Sequence, residues 1–221
     1  MMKVKICGIT NREDAVWALN DGAHFIGVDF RKRSPRHVRS AEAKEWIPAL
    51  PAFAAVVGLF DDESPKEIAR IAAEMNLKGV QIGGAQTPQR LKAIRRALTS
   101  TECPPFIIKA MAFPGPETLD DIPRWGDAID YVLLRDPAES QPGRSPRPFD
   151  WALGAAAAAR GKPVFLGGCL TAENVREAAM QGRPFAVDVT SSVEKSTRHK
   201  HPSKMRAFIT AALLGRSGNP S

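Results

Sequence analysis

Val4-Lys5-Ile6-Cys7-Gly8-Ile9-Thr10-Asn11-Arg12-Glu13-Asp14 reads as one strand–turn–helix unit. Val4-Lys5-Ile6 is a short apolar run, Cys7 stands at its carboxyl end, and Gly8 supplies a turn. Asn11 then offers a helix cap, with Glu13 and Asp14 in the first turn ahead of Ala15-Val16 and Ala18-Leu19. The unit recurs along the chain. Apolar, β-branched runs predict further strands at Phe25–Phe30, Ala54–Phe60, Gly79–Ile82, Phe106–Ala110, Tyr131–Leu134, Val164–Leu166 and Ala186–Val189. Helix signals lie between them: Ser64-Pro65 opens a predicted helix, Glu67–Met75, and Thr171-Ala172-Glu173-Asn174 opens another, Glu173–Met180. Ala155–Ala159 reads as a packed helix.

Eight strands, each followed by a helix and each apolar enough to be covered on both faces, predict a single (β/α)8 TIM barrel over residues 1–214. An open, doubly wound sheet is the main competitor, but eight near-even repeats in 221 residues favour closure. Residues 215–221 read as a frayed tail. Residues 140–148 read as a Pro/Arg/Ser-rich loop.

The 43% hydrophobic and 25% charged content fits a soluble globular chain, and no apolar run reaches the length of a membrane span. The start is charged and turns directly into a strand, so no signal peptide is expected. Cys7, Cys103 and Cys169 are odd in number and widely spaced, which fits neither a disulfide framework nor a zinc motif and suits a reducing cytoplasm. The net charge of +7 raises the question of nucleic acid. The basic residues come in short groups without interleaved aromatics, so a small anionic substrate explains them better, and no nucleic-acid partner is expected. Nothing in the chain sets an oligomeric state.

In a parallel barrel the active site is built at the carboxyl ends of the strands. Cys7 stands at such an end, and a thiol's ordinary pKa puts proton transfer within reach of neutral pH. The bland alternative is a small buried hydrophobe. Asp188, in the eighth apolar run, must pair with something or face the barrel mouth, because an unpartnered buried carboxylate is costly. Arg36 follows Ser34-Pro35, which predicts a stiff turn, although it also sits in a generally basic stretch. Gly167-Gly168 requires only a close backbone turn.

The order of these motifs resembles the phosphoribosylanthranilate isomerase family of tryptophan biosynthesis. The resemblance runs from Val4 to Phe208. It is carried by Lys5-Ile6-Cys7-Gly8-Ile9-Thr10, Phe30 with Ser34-Pro35-Arg36, Val57-Gly58-Leu59-Phe60, Gly79-Val80-Gln81 and Phe149-Asp150-Trp151. Gly167-Gly168 with Glu173-Asn174-Val175, and Asp188-Val189-Thr190-Ser191 with Val193-Glu194, complete it. It implies an Amadori rearrangement of a phosphorylated ribose carrying anthranilate, with no cofactor, because the imine formed on ring opening is itself the electron sink. By the same resemblance Cys7 is the general base, Arg36 binds the anthranilate carboxylate, and Asp188 contacts the bridging amine. The phosphate sits on the loops holding Gly167, Gly168, Ser191 and Ser192.

The chain departs from the family pattern where the general acid is expected, an aspartate directly after two apolar residues at the end of strand six. Here Leu133-Leu134 is followed by Arg135, with Asp136 one place later. A one-residue shift turns a side chain to the other face of a strand, so Asp136 recovers the position only through a bulge or bend. Otherwise Arg135, which cannot act as an acid near neutral pH, stands in its place. Three prolines replace a glycine-rich stretch before Phe149, Gly84 stands where a histidine is usual, and Ser192 replaces a glycine, at a cost if that turn needs a positive φ. The Gly-x-Lys-Asp pattern downstream is also absent. Two readings follow: an isomerase in which Asp136 still reaches the ring oxygen, or a divergent paralogue in which Arg135 and Arg144 read a different phosphorylated or carboxylated molecule.

Overall fold

The computed structural model describes residues 2–99, 103–112, 116–135 and 150–214. Asp136, the 140–148 loop with Arg144, and the 215–221 tail lie outside the described residues. The strands are β1 Lys3–Ile6, β2 Phe25–Asp29, β3 Ala55–Phe60, β4 Gly79–Ile82, β5 Phe106–Ala112, β6 Tyr131–Arg135, β7 Val164–Leu166 and β8 Ala186–Val189. They close into a barrel in chain order, with every neighbouring pair parallel. The closing seam sets Lys5 beside Asp188.

Helices α1 Arg12–Asn20, α2 Ser40–Trp46, α3 Pro65–Glu74, α4 Pro88–Leu98, α5 Leu153–Ala158, α6 Val175–Gly182 and α7 Pro202–Leu214 surround the barrel. Their starts are encoded locally. The Asn11 side chain accepts from the Asp14 amide at 2.9 Å, and Ser64 caps α3 with Pro65 at its first position. Two segments differ from the sequence reading. After β5 the connection is a 3₁₀ run, Pro116–Ala128, because Pro123 lacks an N–H and Gly126, at φ +46°, interrupts the helical backbone. Helix α6 begins at Val175 because the Asn174 side chain is engaged elsewhere: it accepts from the Thr171 amide at 2.8 Å and donates to the Cys169 carbonyl at 2.9 Å. Between β8 and α7 lies an antiparallel hairpin of β9 Glu194–Ser196 and β10 His199–Lys200. No helix among the described residues is long and apolar enough to cross a membrane.

Side chains alternate across each strand, and the barrel interior divides in two. Its amino-terminal half is aromatic, filled by Phe25, Phe106, Tyr131, Phe165 and Phe185 with ring centroids 5.0–6.4 Å apart. Its carboxyl-terminal half is polar, holding Lys5, Gln81 and Asp188 almost out of solvent. Between the strands and helices runs a continuous apolar core that includes Val4, Ile6, Ile26, Leu134 and Phe208.

Gly27 on β2 makes the polar half possible. A Cβ there would stand 2.7 Å from Cys7 Sγ and 3.2 Å from Lys5 Nζ. Gly27→Ala is expected to destabilise the fold by about 1–3 kcal/mol, the usual range for overpacking, as measured by the urea midpoint.

Candidate active site

Cys7 leaves β1 with its amide bonded to the Val189 carbonyl at 2.8 Å, which places the thiol at the barrel mouth. Gly8 follows at φ +71°, and a Cβ on it would meet Arg36 Cδ at 2.5 Å. The glycine therefore serves both the turn and the passage of the arginine across it. Two residues before Cys7, on the same face of the strand, Lys5 is fully buried. Its ammonium donates to Asp188 Oδ1 at 2.7 Å and to Gln81 Oε1 at 3.0 Å.

Burial works to lower the pKa of Lys5, but the charges of Asp188 and Cys7 outweigh it and hold the ammonium above its ordinary value. For Cys7 the balance runs the other way. Burial pushes the thiol up, Lys5 pulls it down, and Asp188 and Asp29 add to the upward push. Burial thus favours the thiol, and Lys5 is the cation placed to stabilise the thiolate.

The stiff turn expected at Ser34-Pro35 is present. The Arg36 amide donates to Ser34 Oγ at 3.1 Å, and the His37 amide to the Ser34 carbonyl at 3.1 Å. The Arg36 guanidinium is held edge-on by Glu194, Nε to Oε1 at 2.7 Å and Nη2 to Oε2 at 2.6 Å. Lys200 Nζ, also buried, reaches the same carboxylate at 3.1 Å and the Thr190 carbonyl at 2.9 Å. Burial works to raise the Glu194 pKa, yet Arg36 and Lys200 keep it below the usual carboxylate value. The β9–β10 hairpin thus pins Arg36 to the barrel mouth. The hairpin is anchored in turn, because the Lys200 amide donates to buried Asp14 at 3.0 Å and Thr10 Oγ1 to the Arg198 carbonyl at 2.5 Å.

Cys7, Arg36, Asp188, Ser191 and Arg135 line one cleft of about 330 Å³. A second cleft of about 410 Å³ shares Asp188, Thr190 and Ser191 with it and is walled by Trp151, Gly168, Cys169 and Ser192. Gly167 carries the chain between the two; a Cβ there would lie 3.5 Å from Asp188 Oδ2. Gly168 and Cys169 are consecutive left-handed residues, at φ +82° and +55°, which makes the loop after β7 a concave turn of backbone amides suited to an anion. Ser192 has no positive φ, so the strain considered for it is absent, and its hydroxyl donates to the Leu170 carbonyl at 2.6 Å.

On β6 the pairing with β5 runs without a slip through Ala112 and Arg135. Leu133 and Arg135 therefore share the inward face, and Arg135 takes the inward place at that strand end. Sequence reasoning missed Lys5, although strand alternation from Cys7 carried the signal. It also missed the Asp29–Arg31 pair, bonded at 2.8 and 2.6 Å, and Asp61 at the end of β3. Glu194 was quoted in a motif, but its contact with Arg36 spans 158 residues and leaves no local trace.

A family model described as N-(5'phosphoribosyl)anthranilate (PRA) isomerase matches residues 4–211. The N-(5'-phosphoribosyl)anthranilate isomerase of Trichlorobacter lovleyi is 37% identical over 212 residues, covering 96% of this chain and 98% of that protein. Its counterpart in Pseudomonas paraeruginosa is 37% identical over 210 residues, covering 95% and 94%. Among solved structures, phosphoribosyl anthranilate isomerase from Thermotoga maritima superposes with a TM-score of 0.86 at 32% identity, covering 96% of this chain and 99% of that one. A phosphoribosyl anthranilate isomerase in complex with reduced 1-(o-carboxyphenylamino)-1-deoxyribulose 5-phosphate superposes at 0.83 and 31% identity, with the same coverage.

The charge balance around Cys7 gives a testable sign. Removing the Asp188 charge removes an anion that pushes the thiol up and leaves the Cys7 thiolate as the natural partner of Lys5. In Asp188→Asn the rate of iodoacetamide labelling at Cys7, followed on its peptide by mass spectrometry, is expected to reach half-maximum at a lower pH than in the parent chain. An unchanged or higher midpoint would remove the Lys5–Asp188 pair as the control on Cys7.

Proposed function

This chain belongs to the phosphoribosylanthranilate isomerase family, and we propose that it converts N-(5'-phosphoribosyl)anthranilate to 1-(2-carboxyphenylamino)-1-deoxyribulose 5-phosphate by general acid–base catalysis at the β1–β8 mouth. The observation that carries this reading is that Cys7, Arg36 and Asp188 converge on one cleft, which continues into the loops after β7 and β8.

Each group suits one part of the substrate. The phosphate binds on the backbone amides of the Gly168–Cys169 and Ser191–Ser192 turns, the usual phosphate place in such barrels. The planar Arg36 guanidinium, already oriented by Glu194, reads the anthranilate carboxylate. Asp188 accepts from the bridging amine while retaining its contact with Lys5. Ring opening leaves an iminium at C1, which acidifies the C2 proton, and the Cys7 thiolate removes it. The electron pair moves into a C1=C2 bond, and the resulting enol tautomerises to the ketone. Lys5 supports the thiolate in a site where burial alone favours the thiol.

The reading of a paralogue with a different substrate drew on Arg135. Full-length kinship at 37% identity with proteins named as this isomerase supports the isomerase over that alternative.

Turnover of freshly generated phosphoribosylanthranilate, followed by loss of its fluorescence, tests the proposal. The parent chain is expected to turn over and Cys7→Ser to lose activity by about 10²–10⁴-fold, the usual contribution of a positioned proton-transfer group. Arg36→Ala is expected to raise KM. A well-folded parent chain without turnover would contradict the reading, and an unchanged KM would remove Arg36 from the carboxylate site.

A further inference from the structure

The rearrangement needs a proton donor for the ring oxygen, and the inward place at the end of β6 is held by Arg135, which cannot supply one. Among the described residues, the carboxylates lining the cleft are Asp29, Asp61 and Asp188, and Asp188 is held by Lys5 at 2.7 Å. Asp29 is committed to both edges of its contact with Arg31. Glu63 accepts the Asp61 amide at 2.9 Å and does not line the cleft. Asp61 remains.

Asp61 follows Leu59 on the inward face of β3, and both line the cleft that holds Cys7. Its Oδ1 is buried and, among the described residues, accepts no hydrogen bond. It lies against Gly83, where any Cβ would collide with it. Its Oδ2 is 3.7 Å from Arg31 Nη1, beyond hydrogen-bond range. A carboxylate so poorly supported gains by holding a proton. The surrounding charges agree: burial pushes Asp61 above its ordinary value, as do Asp29 and Glu63, against the pull of Arg31 and Arg135. The remaining charged neighbours are tied to backbone. Arg90 donates to the Asp61 and Glu63 carbonyls. Lys109, lowered by burial to about 8, donates to the carbonyls of Gly84 and Ala110.

We propose that Asp61 is the proton donor to the ring oxygen of the substrate, a role that rests on the isomerase reading above. Its carboxyl proton passes to the ring oxygen as the C1–O bond breaks and the nitrogen lone pair forms the C1=N bond. Cys7 then takes the C2 proton. Tautomerisation of the enol delivers a proton to C1 and releases one from the C2 hydroxyl, which restores the thiolate and the carboxylic acid. Arg135, which lines the same cleft and pulls on the Asp61 charge, stabilises the carboxylate that Asp61 becomes.

The test compares the parent chain with Asp61→Asn, Gly83→Ala and Asp136→Asn, measuring kcat and KM between roughly pH 5 and 9, the span of carboxyl and thiol titration. Asp61→Asn is expected to lower kcat by about 10²–10⁴-fold with KM within about threefold. Above the Asp61 pKa its rate relative to the parent chain is expected to climb about tenfold per pH unit, because the parent loses its protonated acid as pH rises and the variant has none to lose. Gly83→Ala, which displaces the carboxyl without changing its chemistry, is expected to lower kcat as well, while Asp136→Asn stays near the parent value. An Asp61→Asn variant with parental kcat and a pH-independent ratio, or a loss confined to Asp136→Asn, overturns the inference alone. Absence of turnover in the parent chain overturns it together with the isomerase reading.

Discussion

The contact between the Lys5 ammonium and the Asp188 carboxylate, 2.7 Å long and inside the barrel, is the interaction on which the rest of this mouth depends. It joins the first strand to the last where the barrel closes. Burying two charges is expensive, and a well-packed apolar pair would often be as stable or more so. What the pair gives in return is an electrostatic environment. A cation is fixed beneath the Cys7 thiol, and an anion is fixed where the second cleft opens. The rest of the interior accommodates that choice. Gln81 satisfies a second Lys5 proton, Gly27 leaves room for ammonium and thiol together, and an apolar, aromatic layer fills the other half of the interior.

Around this centre the cleft is organised by long-range ion pairs rather than by local turns alone. Arg36 is oriented by Glu194, Glu194 is shared with Lys200, and the hairpin carrying both is tied to Asp14 and Thr10 at the start of α1. Such bidentate geometry fixes the plane of a guanidinium before any ligand arrives, which lowers the ordering cost of binding a carboxylate. Asp61 is less tightly paired, because Arg31 is bonded twice to Asp29 and stands 3.7 Å from Asp61 Oδ2. Proton transfer benefits from that looseness, because a carboxyl locked in a strong ion pair holds its negative charge too firmly to act as an acid.

The barrel was legible in the sequence because its strands are short, β-branched and bounded by turn residues. Gly79–Ile82, Val164–Leu166 and Ala186–Val189 stand at the predicted limits. The caps at Asn11 and Ser64 were equally readable, since capping is a local affair. The 3₁₀ connection after β5 was not, because Pro123 and Gly126 act on a segment without strong periodicity. In the site, Cys7 and Asp188 announced themselves by position at strand ends, and Arg36 by the Ser34-Pro35 turn before it together with the family resemblance. Lys5 was available by alternation but reads at first as an ordinary strand lysine. Glu194 depends on a neighbour 158 residues away, which no spacing rule reaches, whereas Asp61 stands directly after the third strand and alternation from Leu59 carried its signal.

The most direct test of the account is a crystal structure of this protein with reduced 1-(o-carboxyphenylamino)-1-deoxyribulose 5-phosphate bound. The account predicts the phosphate on the backbone turns at Gly168–Cys169 and Ser191–Ser192, the carboxylate on Arg36, and the ligand amine against Asp188. It further places the oxygen derived from the ring within hydrogen-bond reach of Asp61. A ligand carboxylate away from Arg36, or that oxygen facing the β6 side with Asp61 out of reach, would contradict it.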